Sequence, residues 1–185
     1  MSQTTLDRVE DVPTGFRQVL RSSTEPAHDA LDHRMSRFDL TDANDRRVFC
    51  GIQMRAFARL GTACAWDAAE GTVVLHNMVQ ALLQEAGDPV PECNDAPICA
   101  DAVAYLALGS QMGATVLRRG IPTADHVGFF GLDADVAGWR AFCARMDAVP
   151  VWSEAARLVR RDAIRGFEIF LSEIRHAKDT ISLPS

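Results

Sequence analysis

The sequence predicts an all-α, single-domain protein of seven or eight helices. Apolar residues recur at three- and four-residue intervals along nearly the whole chain, and strand-like alternation is hard to find. Glycine and proline fall where those periodic stretches end. A length of 185 residues fits one domain and leaves little room for a second.

Residues 1–12 read as a loose polar leader ahead of a domain spanning 13–180. The spacing predicts a first helix from Thr14 to about Phe38, interrupted or restarted near Ser23–Pro26, because proline is tolerated only in a first turn or at a kink. Asp42 can cap the next helix, whose apolar face takes Val48, Phe49, Ile52, Phe57, Leu60 and Cys64. Gly71 and Thr72 are expected to separate it from a stripe of Val74, Leu75, Met78 and Leu82 that stops at Gly87. Three prolines between Gly87 and Pro97 mark the clearest loop. A helix from about Ile98 to Arg119 follows, ended by Gly120 and Pro122. A connection from Asp125 to Gly131 leads to a helix bearing Trp139, Phe142 and Met146, which Pro150 breaks. The last helix, about Val151 to Lys178, carries Trp152, Ala156, Val159, Ala163, Phe167, Phe170 and Ile174 on one side. There is no internal repeat and no low-complexity segment.

Composition narrows the function. With 48% hydrophobic and 24% charged residues the chain is an ordinary globular sequence, which excludes disorder and collagen-like structure. A net charge of −6 argues against a broad nucleic-acid surface but allows a local basic pocket for an anionic small molecule. No apolar run approaches the ~18 residues of a membrane span, and the start lacks a secretory pattern. The five cysteines are odd in number and contain no C-x-x-C pair, so neither a disulfide scaffold nor a zinc site is expected. They read as free thiols in a reducing cytoplasm.

Two segments carry more than packing requires. In Leu20-Arg-Ser-Ser-Thr-Glu-Pro-Ala-His28-Asp-Ala-Leu-Asp32, His28 and Asp32 stand four apart and share a helix face. A carboxylate one turn beyond a histidine can fix the ring's tautomer, as partners of metal-ligating histidines do. Arg21, two turns before His28, lies on nearly the same face, and a histidine beside a cation suits haem as iron ligand and propionate partner. Taken alone, a histidine on a helix face is most often solvated or a satisfied core residue. In Tyr105-Leu-Ala-Leu-Gly-Ser-Gln-Met-Gly-Ala-Thr-Val-Leu-Arg-Arg119, Gly109 and Gly113 each cost ~1 kcal/mol relative to alanine in mid-helix. Their spacing bares one face, either for close helix–helix contact or for a flat ligand lying on the backbone. The spacing alone favours helix packing.

Several residues join these two segments in order: Leu20 to Thr24, His28 four residues after Thr24, Leu31-Asp32, Tyr105, Gly109-Ser110, Gly113-Ala114 and Val116-Leu117. Phe129-Phe130, Trp139-x-x-Phe142 and an amphipathic C-terminal helix follow. Over roughly residues 14–175 this pattern resembles the haem oxygenase family, in its bacterial branch associated with bacteriophytochromes and haem-iron acquisition. The resemblance implies the haem-oxygenase-like helical fold and oxidative cleavage of haem to biliverdin, carbon monoxide and iron, with haem as substrate and cofactor. It makes His28 the proximal iron ligand and Asp32 its orienting partner. Gly109, Ser110, Gly113 and Ala114 become the catalytic helix over the haem, reached by Tyr105, and Arg21 faces the propionates. The C-terminal helix supplies basic and aromatic pocket residues, with Arg161, Arg165 and Phe167 the candidates. One departure concerns Ser110, where the animal enzymes carry an aspartate that organises the proton-delivering water.

The chain has no dinucleotide, flavin or iron–sulfur pattern of its own. The resemblance therefore implies an external electron donor such as a ferredoxin or a reductase, and possible delivery of biliverdin to a bacteriophytochrome. Neither nucleic acid nor membrane is expected as a partner. Rival readings are a haem carrier or sensor without turnover, a thiamin-related hydrolase on the same fold, and a plain helical interaction module. His33, about 140° round the helix from His28, is the rival ligand. His76, His126 and His176 have no neighbours in sequence that form a site. The pairs Arg46-Arg47, Arg118-Arg119 and Arg160-Arg161 read as solvated faces, with one of the last pair turned inward.

Overall fold

A computed structural model describes residues 15–66, 70–87 and 94–180. The expected leader lies outside them. Among the described residues there are seven α-helices and no strand: α1 (Phe16–Met35), α2 (Ala43–Ala63), α3 (Glu70–Ala86), α4 (Ala100–Leu117), α5 (Gly128–Gly131), α6 (Val136–Asp147) and α7 (Glu154–Thr180). Two 3₁₀ turns, Arg118–Gly120 and Thr123–Asp125, link α4 to α5.

Helix α7 is the central element, packed against α1, α2 and α4, while α3 covers α2 and α4. Its stripe of Ala156, Val159, Ala163, Phe167, Phe170 and Ile174 is buried throughout, as the three- and four-residue spacing predicts. Trp152 departs from that prediction. It precedes the helix and is 91% exposed, because the chain turns at Pro150 and α7 starts only at Glu154.

Local signals set several boundaries. The Asp42 carboxylate accepts from the N–H groups of Asn44 and Asp45 at 2.9 Å each, capping α2. Gly87 closes α3 in the left-handed region (φ +69°), its N–H donating to the Leu83 carbonyl. Arg47 Nε donates to the neighbouring Ala86 carbonyl at 3.1 Å. Arg46 and Arg118 likewise turn onto loops, at the Leu40 carbonyl and at the Phe130 and Leu132 carbonyls. These arginines are therefore ties rather than solvated faces.

Other boundaries depend on tertiary contact. Helix α1 runs through Pro26 without restarting. The missing N–H leaves the Ser22 carbonyl without its helical donor, and Leu20, Thr24 and Leu31 bury the helix on both sides of the proline. Gly71 does not separate two helices. It sits in the first turn of α3, where an added Cβ would overlap the Ala104 backbone of α4. The reversal comes earlier, at Ala65 and Trp66, both of positive φ (55° and 48°).

Two buried carboxylates anchor α7. Asp162 accepts the Cys99 N–H at the start of α4 (2.9 Å) and the Arg161 and Arg165 guanidiniums. Burial pushes its carboxyl up, but these hydrogen bonds outweigh it and hold it below the ordinary value. Glu173 accepts from Arg55 Nε at 2.9 Å and Arg59 Nη1 at 2.7 Å. Arg59 also forms a two-pronged pair with Asp95 and so holds that carboxyl low.

Gly71→Ala should destabilise the protein by about 1–3 kcal/mol through overpacking of α3 on α4. A thermal melt followed by circular dichroism reads this directly, and an unchanged Tm would deny the contact.

Candidate functional site

Three helices assemble the site. Helix α6 lies antiparallel to α4: Arg145 pairs with Asp101 at 3.0 Å, Phe142 and Trp139 stack on Tyr105, and the Asp135 N–H donates to Gln111. At the far end of α6, Asp147 pairs with Arg17 at the start of α1 (3.0 Å). Helices α1 and α4 therefore run in the same direction from one end of α6. Thr24 of α1 and Tyr105 of α4 meet at the same level through a hydroxyl–hydroxyl hydrogen bond of 3.0 Å.

One turn beyond Thr24 stands His28. Its Nδ1 lies 3.2 Å from Asp32 Oδ2 and 4.0 Å from Asp29 Oδ1. In the neutral ring Nδ1–H donates to Asp32, and Nε2 carries the lone pair. Nε2 has no hydrogen-bond partner among the described residues. The ring meets Phe167 of α7 edge-on, with centroids 5.6 Å apart, and is about half exposed. This is an imidazole fixed on one side and open on the other, the arrangement of a metal ligand.

One turn beyond Tyr105 stands Gly109, and one further turn brings Gly113. A Cβ added at Gly113 would meet nothing within 4 Å, and one at Gly109 would meet only the Trp139 ring, at 4.0 Å. Among the described residues only Trp139 of α6 approaches this face, at Gly109, and none meets Gly113, so the close helix–helix contact that the spacing favours is not seen there. The contrast within the molecule is direct, because Gly71 and Gly166 are packing glycines whose added Cβ would overlap Ala104 and Leu106. Val116 and Leu117 continue the bare face and are 60% and 41% exposed. Ser110 and Ala114, about 100° round the helix, are half-buried.

The cationic candidates separate. Arg21 is exposed and makes no polar contact among the described residues. Arg161 and Arg165 are bound to Asp162, and Arg165 also donates to the Ala96 and Pro97 carbonyls. Arg161 lies about 120° round α7 from Phe167, whereas Arg160, seven residues before Phe167, lies within about 20° of it. Arg160 is exposed. The sequence reading allowed one of Arg160 and Arg161 to turn inward but named Arg161 as the pocket candidate, although the two-turn spacing that singled out Arg21 fits Arg160. It also missed the Thr24–Tyr105 bond, whose signal is the matching offset of four residues in Thr24–His28 and Tyr105–Gly109.

The other candidate groups have structural roles or none. His33 is exposed beside Arg37, and His126 Nε2 faces the Arg118 and Ile121 carbonyls at 3.0 and 2.9 Å. Burial pushes the Cys99 thiol up to about 11 and raises those of Cys50 and Cys143, so these are poor nucleophiles. Among the described residues no three His, Cys, Asp or Glu side chains gather to hold a metal ion. A groove of about 430 Å³ between α3 and α5, lined by Asn77, Gln80, Gln84 and Leu132, contains no titratable side chain.

The sequence matches no protein-family model, and a search of curated proteins returns no match.

Gly113→Ala should leave the isolated protein as stable as the parent or more stable by up to about 1 kcal/mol, since it removes a helix-interior glycine without a clash. Gly113→Leu should also fold. Unfolding or aggregation of either variant would mean that another element covers this face.

Proposed function

We propose that the protein is a haem oxygenase that cleaves haem to biliverdin, carbon monoxide and iron with oxygen and external electrons. The observation that carries this reading is the pairing of two features across α1 and α4. An imidazole with a carboxylate-held Nδ1 and an unpartnered Nε2 stands on one helix, and an uncovered glycine face stands on the other. The residues fit the group: a flat macrocycle needs backbone bare of side chains, and an iron already held by four ring nitrogens needs one protein ligand.

Bound haem would supply the iron that activates oxygen and the porphyrin that is cut. In this reading His28 binds through Nε2, and Asp32 and Phe167 hold its ring in one orientation. Gly109 and Gly113 would offer bare helix surface for a flat macrocycle to lie against. Ser110 offers a hydroxyl where a carboxylate would order water more strongly, so water positioning falls more heavily on the helix backbone. Val116 and Leu117 offer apolar surface to the ring edge. Arg21 on α1 and Arg160 on α7 supply the propionate cations. The electrons come from a separate donor, a ferredoxin or a reductase.

The test is direct. Added haem should give a Soret spectrum of a histidine-ligated complex, and a reductant under oxygen should convert it to biliverdin. Binding without conversion would make the protein a carrier, and no binding would end the haem reading. His28→Ala should lose the histidine-ligated spectrum, with imidazole restoring it in part. If His33→Ala has that effect instead, the ligand is wrongly assigned.

Arg21→Ala and Arg160→Ala should each weaken haem affinity only a few-fold, as expected for exposed ion pairs worth about 0.2–1 kcal/mol. Arg161→Ala should leave affinity unchanged. A titration in which Arg161→Ala weakens binding and Arg160→Ala does not would reverse the assignment.

A further inference from the structure

We infer that the Thr24–Tyr105 hydrogen bond is a spacer that sets the separation of α1 and α4, making Thr24 and Tyr105 positioning residues for the slot between His28 and the glycine face. The role in haem binding rests on the reading above, whereas the mechanical role does not.

Thr24 is 1% exposed, and its Oγ1 lies 3.0 Å from the Leu20 carbonyl and 3.1 Å from that of Arg21. Those carbonyls can take its single proton, an arrangement in which the Tyr105 hydroxyl, 3.0 Å away, donates to Thr24 across the gap. The phenol is itself held. Its ring lies against Trp139 and Phe142, with centroids 6.2 and 6.1 Å away, and those two rings stack on each other at 5.8 Å. Position is thus passed from α6 to the Tyr105 ring, from its hydroxyl to Thr24, and so to α1.

Helix α1 needs such a restraint at this place. Pro26 lies between Thr24 and His28 and deprives the helix of a hydrogen bond where bending is easiest. With the pin one turn before both His28 and Gly109, a change in its length would be felt in the slot itself. Removing the phenol oxygen would leave the buried Thr24 hydroxyl with its α1 carbonyls, so the fold should survive while the spacing relaxes.

Hydrogen exchange of the full chain without haem, resolved by mass spectrometry, tests the mechanical role. Tyr105→Phe keeps the ring stack and should speed exchange about tenfold in 27–31 of α1 and 109–113 of α4, the effect of losing one such bond locally. Exchange in α2 and α3 should stay at the parent rate. Thr24→Val should reproduce the effect, and Thr24→Ser should not. As a control, Gly71→Ala lowers global stability and should not produce this local pattern. Unchanged or uniformly raised exchange in Tyr105→Phe would overturn the inference. A second arm adds haem: Tyr105→Phe should weaken binding about tenfold and broaden the ferric electron paramagnetic resonance signal, with Thr24→Ser restored to parent behaviour. Equal affinity and line shape in the variant would overturn the slot-setting role even if exchange rises. If the parent itself takes up no haem, the functional reading fails, and the exchange pattern decides the spacer by itself.

Discussion

Asp162 is 1% exposed, and a carboxylate taken that far out of water persists in charged form only with donors on both oxygens. One oxygen takes the Cys99 N–H, at the start of α4, and the other takes the guanidiniums of Arg161 and Arg165. The negative charge also sits at the end of α4 where the helix dipole favours it. Glu173, eleven residues on and therefore nearly on the same face of α7, does the same for α2 through Arg55 and Arg59. Two charges that cannot be left unpaired thus fix where α2 and α4 lie against α7.

That constraint determines which side of α4 is left open. With its start held at Asp162, Ala102, Val103, Leu106 and Ala107 turn inward, and Leu106 fills the space that Gly166 leaves on α7. Tyr105 then falls at the edge, against α6 and α1, and Gly109 and Gly113 fall outside. Among the described residues no helix needs these glycines to approach. Their helix-propensity cost is not offset by a close helix contact among the described residues, unlike that of Gly71 and Gly166.

Much of the fold was legible in local sequence, because caps and stripes act over one or two turns. Asp42 and Gly87 do what their residue types do at helix ends, and the stripe of α7 is buried as its period requires. Pro26, Gly71 and Trp152 were misread because each depends on distant chain: burial of α1 on α7, approach of α3 to Ala104, and the late start of α7. The G-x-x-x-G spacing could show that a face was bare, but not whether another helix covered it. The His28–Asp32 pair was legible because it lies within one turn. The Thr24–Tyr105 bond spans 81 residues, and the capture of Arg161 by Asp162 becomes visible only once Cys99 is seen to need that carboxylate.

The energetic layout follows a division of labour. Helices α1 and α4 each carry a local defect, a proline in α1 and two glycines in α4. Those defects would cost roughly 3 kcal/mol for the proline and about 1 kcal/mol for each glycine in an isolated helix. The compensating interactions lie in other parts of the fold: the buried stripe and carboxylates of α7, the capped α2, and the aromatic rings that α6 lays against Tyr105. A defect inside the core would be corrected by repacking around it. Here the glycine defects face outward, and the proline lies between two buried anchors, so the surroundings tolerate both without filling them. Under the proposed function, a planar apolar ligand that covered Gly109, Gly113, Val116 and Leu117 would supply burial that the described residues do not give α4 on that side.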